Sequence, residues 1–164
     1  MKVIILIDAK NFERGIFNVS ENRKEFRYID FYKISSFIMG YLKNNQQYKD
    51  SSLQHIRTYF YTGEFTDKLI NKIERFIYEK KEFADDLNLL LEKCKRDKRI
   101  QEEFFRRAKS YYFFEIRAKP LQFSPSDKKV LQKGVDVQLA ADLVILHIKI
   151  YLILRLFYQV TLIY

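Results

Sequence analysis

A chain of 164 residues with 48% hydrophobic and 31% charged residues is expected to fold around one core, which excludes a disordered or multidomain reading. Its 30 Lys and Arg against 21 Asp and Glu leave a net charge of +9, which suits a polyanionic partner and also suits an anionic membrane surface. Cys94 is the only cysteine and excludes an internal disulfide, and the apolar start is too short for a secretion signal, so the cytoplasm is the expected location.

Residues 3–7, Val-Ile-Ile-Leu-Ile, form an unbroken apolar run. That pattern predicts a strand buried on both faces in a helix-covered parallel sheet. Asp8 follows it directly. In open parallel sheets ligands gather beyond the carboxyl ends of the strands, so Asp8 either holds a metal ion or caps the next turn. Asn11, three residues on, either orients Asp8 or a bound water or serves only the turn. Asp30 is expected to cap a helix in which Phe31, Ile34, Phe37, Ile38, Tyr41 and Leu42 recur at helical spacing. Ile56 to Tyr61 reads as a second strand that stops at Thr62-Gly63. Thr66 then opens a helix with Leu69, Ile70, Ile73, Phe76 and Ile77 on one face.

The stretch 83–109 keeps a helical period through Leu87, Leu90, Leu91, Ile100, Phe104 and Phe105. Its basic residues Lys95, Arg96, Arg99, Arg106 and Arg107, with Lys133 further on, are candidates for contact with a nucleic-acid backbone; a solvated helix face accounts for them equally well. Tyr111 to Arg117 is a third strand, after which Lys119-Pro120 and Ser124-Pro125-Ser126 are expected to break regular structure. Gly134 precedes a final helix whose apolar face includes Val137, Leu139, Ala140, Leu143 and Val144. Asp136 falls in its first turn, near the positive end of the helix dipole. Asp142 is turned from it by about 120° on an ideal helix. Asp136 is therefore the candidate metal ligand, and Asp142 either supports the site or is an ordinary helix acid.

Strands alternating with helices predict a doubly wound α/β domain with a parallel sheet. Carboxylates without a His or Cys cluster select Mg²⁺ or Mn²⁺. His55 and His147 have no partners at ligand spacing, and the missing Gly-rich phosphate loop disfavours a nucleotide triphosphatase.

Two of these segments resemble the signatures of one family. Ile-Leu-Ile-Asp8-Ala-Lys-Asn11 and Lys133-Gly-Val-Asp136-Val-Gln-Leu-Ala-Ala-Asp142 look like those of NYN domains, in the LabA-like bacterial branch of the PIN-like nuclease superfamily, and Tyr59-Phe-Tyr61 falls where that family has an aromatic second strand. The resemblance covers residues 1–146. It implies a PIN-like (Rossmann-like) parallel sheet flanked by helices, and a ribonuclease that cuts RNA phosphodiester bonds with Mg²⁺ or Mn²⁺. On the matching positions, it implies that Asp8 and Asp136 bind metal and that Asn11 and Asp142 support them. Assembly into a homo-oligomer is left open. A non-catalytic module that binds RNA or a protein is the alternative.

After the Lys-Gly-Val-Asp helix, the family continues into a buried strand ending in Ser-Gly-Asp-x-Asp. Residues 147–164 contain no acid. One permitted codon string for them, read with its first two bases dropped, encodes Tyr-Lys-Asn-Ile-Phe-Asn-Thr-Ala-Ile-Ile-Leu-Ser-Gly-Asp-Thr-Asp-Leu, the missing strand and motif. The expectation is a fold incomplete at its C-terminus, with 147–164 an out-of-frame remnant. A divergent genuine strand and a membrane segment are the other readings; Lys149 and Arg155 weigh against the latter.

Overall fold

The apolar run at the N-terminus is a central strand, β1 (Lys2–Asp8), with hydrogen-bonded neighbours on both sides. The structure is a computed structural model and describes residues 1–19, 30–49, 51–148 and 152–156. Around β1 the chain forms α1 (Ala9–Val19), α2 (Phe31–Asn44), β2 (Gln54–Glu64), α3 (Asp67–Glu79) and α4 (Ala84–Ala108). It continues through β3 (Phe114–Pro120), the short strands β4 (Gln122–Ser124) and β5 (Lys129–Leu131), α5 (Val135–Ile148) and β6 (Leu152–Leu156). The main sheet has the order β3-β2-β1-β6, and every pairing in it is parallel. Mixed α/β architecture with a helix-flanked parallel sheet is thus as the sequence predicts.

Alternation along β1 divides the core. Val3, Ile5 and Ile7 pack with Phe12, Phe31, Ile38 and Phe60 under α1 and α2. Ile4 and Leu6 pack on the other face with Tyr61, Val135 and Leu139 under α5. A third cluster joins Leu69, Ile70 and Ile73 of α3 to Leu87, Leu91 and Cys94 of α4, with Phe123 of β4 closing one end. The expected helix caps form: Asp30 accepts from the backbone N–H groups of Tyr32 and Lys33, and the Thr66 side chain accepts from Leu69 N. Gly134 takes a φ of +80° just before α5, a conformation that glycine reaches without steric penalty.

Three elements differ from the sequence expectation. Helix α1 follows β1 at once, where only a turn was expected, because Asp8 caps it. Pro120 ends β3 rather than interrupting it; β3 is an edge strand, which tolerates a residue lacking an N–H. Ser124-Pro125-Ser126 lies at the turn between β4 and β5, an antiparallel pair of three residues each and too short to show a period.

In the C-terminal segment, α5 runs through Ile148 and Leu152–Leu156 pair with Val3 to Ile7 of β1. Residues 149–151 and 157–164 lie outside the described residues, and so does the place where a Ser-Gly-Asp-x-Asp motif would fall. No helix among the described residues is long and apolar enough to cross a membrane.

Candidate functional site

The site begins with the last residue of the buried strand. Asp8 is 5% exposed, and its Oδ1 accepts hydrogen bonds from the backbone N–H groups of Lys10 (3.0 Å) and Asn11 (3.1 Å). Its Oδ2 accepts from Asn11 Nδ2 at 3.0 Å. The capping role and the orienting role of Asn11, both legible in the sequence, are therefore realised together. A carboxylate offers about four acceptor sites, so three donors fix its plane and leave room for one further ligand.

Asp8 stands in register with Tyr61 of β2, and Tyr61 with Arg117 of β3, forming a polar row at the carboxyl end of the sheet. Tyr61 is fully buried and donates from its hydroxyl to Asp142 Oδ2 at 2.9 Å. Burial first, and then the Asp142 carboxylate, push the phenol far above its ordinary value, with Arg117 opposing them. The phenol stays protonated. Arg117 pairs with Glu115 at 2.7 Å and stacks over the Tyr59 ring at 4.9 Å. Asp142 thus supports the sheet end through Tyr61, a role that needed the strand register to be seen.

Helix α5 follows the β4–β5 pair beyond the carboxyl end of β3 and leads into β6, which is parallel to β1. Its first turn accordingly lies at the same end of the sheet as Asp8, and Val135 packs in the cluster of Leu6 and Tyr61. Asp136 is exposed in that turn. Among the described residues, no three or more His, Cys, Asp or Glu side chains gather as a metal-holding group. Asp8 and Asp136, the two carboxylates singled out in the sequence, lie at the same end of the sheet.

The basic candidates on α4 divide. Lys95 pairs with Glu74 at 3.0 Å and Glu92 at 3.7 Å, and Arg96 Nε lies 3.7 Å from Asp97. Lys98, another member of the run, is held by Asp67 and Glu102. Arg99 and Arg106 are exposed on α4, and Lys133 is exposed just ahead of α5. Arg107 lines a cleft of about 890 Å³ between α1, the end of β2, α4 and the β4–β5 pair.

Sequence reasoning missed that cleft. Glu13 of α1 and Asp97 of α4 both line it, 84 residues apart in the chain. Burial first, and then Asp97, raise the Glu13 carboxyl above its ordinary range. Gln101 ties α4 to the end of β2 along the cleft: its Nε2 donates to Gly63 O at 2.7 Å while its Oε1 accepts from Phe65 N at 2.9 Å. A β-carbon at Gly63 would meet the Leu121 side chain, which would have to move aside. Cys94 is a buried thiol whose pKa is raised by burial and Asp97. At the amino end of the sheet, His55 Nε2 and Thr58 Oγ1 lie 3.0 Å apart, and burial lowers the imidazole pKa. Comparison with family models, curated proteins and solved structures found no match to this chain.

Proposed function

We propose that this chain carries a PIN-like domain of the NYN type that hydrolyses RNA phosphodiester bonds at a site centred on Asp8, in the cytoplasm. The observation that carries the reading is the Asp8 carboxylate, buried at the carboxyl end of a central parallel strand and held in one orientation by Asn11 and two backbone N–H groups. Asp8 and Asp136 would hold Mg²⁺ or Mn²⁺. Such an ion, when bound, lowers the pKa of water and neutralises charge on the phosphate. Asn11 keeps the Asp8 carboxylate from turning away, and Asp142 keeps the Tyr61 hydroxyl, and with it the end of β2, in place. Arg99, Arg106, Arg107 and Lys133 would meet the RNA backbone together with Lys95 and Arg96, and the last two must first leave their carboxylate neighbours.

The Ser-Gly-Asp-x-Asp carboxylates belong to the shifted reading of codons 147–164. The chain as written is therefore expected to cleave weakly or not at all, and the frame-restored chain to cleave with Mn²⁺ or Mg²⁺. Both are assayed on a labelled single-stranded RNA. Cleavage by the restored chain that survives EDTA and Asp8→Ala would overturn the mechanism. Salt-sensitive RNA binding with no cleavage after restoration would make the protein a non-catalytic RNA-binding module. Sedimentation of the same samples decides whether a homo-oligomer forms.

A further inference from the structure

The cleft beside α4 has three chemically distinct zones. Its walls are aromatic and aliphatic, with Phe60 of β2 and Phe104 of α4 on one side and Leu121 and Val130 on the side of the β4–β5 pair. Two carboxylates, Glu13 and Asp97, line it between α1 and α4. Four cations, Lys10, Lys93, Arg107 and Lys129, border it, and all four are exposed residues. Ala9 at the start of α1 and Thr62 and Gly63 near the end of β2 also line it, on the sheet face of Phe60, opposite the face that Tyr61 shares with Ile4 and Leu6.

Each zone narrows the ligand. At about 890 Å³ the cleft falls in the size range of small-molecule sites and holds a single nucleotide. A wholly apolar ligand would leave the two carboxylates desolvated without partners. A fatty acid or other carboxylate would face them with like charge. A flat ring with N–H groups on its edge and a phosphate at its outer end satisfies all three zones. It lays its faces on the apolar walls, donates to the carboxylates and leaves its phosphate among the cations.

We propose that this cleft binds one nucleobase of single-stranded RNA and prefers amino-bearing bases over uracil. That the nucleotide belongs to an RNA substrate rests on the ribonuclease reading; the base site itself rests only on the cleft. Adenine, cytosine and guanine each carry an exocyclic amino group that a carboxylate can accept from, as Asp and Glu do with cytosine in nucleic-acid grooves. Uracil offers one ring N–H and otherwise acceptors, which would oppose Glu13 and Asp97.

The test is titration of the full chain with AMP, CMP, GMP and UMP in EDTA, by calorimetry and by backbone amide shifts. The expected result is shifts at Glu13, Asp97 and Phe104, with an amino-bearing nucleotide bound about tenfold more tightly than UMP. Ile100→Trp, which puts a bulky indole ring in place of an aliphatic side chain in the cleft wall, should abolish these shifts. Glu13→Gln together with Asp97→Asn, a change of charge with little change of volume, should keep the fold and level the preference. Equal affinity for UMP, shifts that map elsewhere, or no binding at millimolar nucleotide would overturn the proposal. Binding in the cleft by a frame-restored chain that cuts no RNA sinks the ribonuclease reading and leaves the base site standing. Cleavage of RNA by a chain whose cleft ignores all four nucleotides does the reverse.

Discussion

The carboxylate of Asp8 accepts from two backbone N–H groups at the start of α1 and from the Asn11 amide, so substitutions there act on the helix as well as on the site. Asparagine caps about as well as aspartate, whereas alanine loses about 0.5–2 kcal/mol. Asp8→Asn should therefore unfold in urea within about 0.5 kcal/mol of the parent, and Asp8→Ala should fall below it by the capping increment. In the frame-restored chain both should lose cleavage, which separates the chemical role from the structural one. Tyr61 gives a second residue-scale test. Tyr61→Phe removes the donor to Asp142 and should destabilise the fold by about 1–3 kcal/mol at neutral pH. Because the folded state raises the phenol pKa, that stabilisation is fully present below the unfolded tyrosine value, about 10, and is lost as pH climbs further. Urea unfolding across that range should show the gap between parent and variant closing on the alkaline side.

At the scale of elements, α4 is joined to α3 in two ways of unequal strength. Ile73 is wholly buried between the helices with Leu87 and Leu91, while Lys95 and Lys98 reach across to Glu74 and Asp67 at the surface. Truncating a buried isoleucine removes transfer energy and leaves a cavity, whereas an exposed ion pair is screened by water and salt. Ile73→Ala should destabilise by about 2–5 kcal/mol and Lys95→Ala by no more than about 1 kcal/mol, as read from urea midpoints. The helix also carries Asp85 and Asp86 in its first turn and Arg106 and Arg107 in its last, the arrangement its dipole favours. The arginines that would meet RNA are thus also placed to steady the end of the helix.

For the whole molecule, the proposed RNA binding by a chain of net charge +9 should weaken steeply with salt. Replacing Arg99 and Arg106 with alanine should flatten the plot of log affinity against log salt by about 1.4, about 0.7 for each lost phosphate contact on a single strand. An unchanged slope would remove this face of α4 from the binding surface. The same scale shows what the sequence could and could not say. The run from Val3 to Ile7, the caps Asp30 and Thr66, and Gly134 ahead of α5 are local signals, and each names an element that is present. Helix α1 and the strands β4 and β5 were missed, because their patterns are hidden behind a cap or are three residues long. Asp8 and Asn11 were legible as a pair because they are three residues apart. Tyr61 with Asp142, and Glu13 with Asp97, were not, since only the folding of β2 and α4 against β1 and α1 brings them together.

The Gln101 amide bonds to the backbone at Gly63 and Phe65 much as a neighbouring strand would, and so welds the middle of α4 to the tip of β2. A helix fastened in this way cannot swing outward without breaking both bonds, which holds α4 against the end of β2. If the cleft takes the proposed base, recognition there is of the lock-and-key kind. The entropy of ordering its walls was already lost when the chain folded, and selectivity falls to the shape and charge of whatever enters.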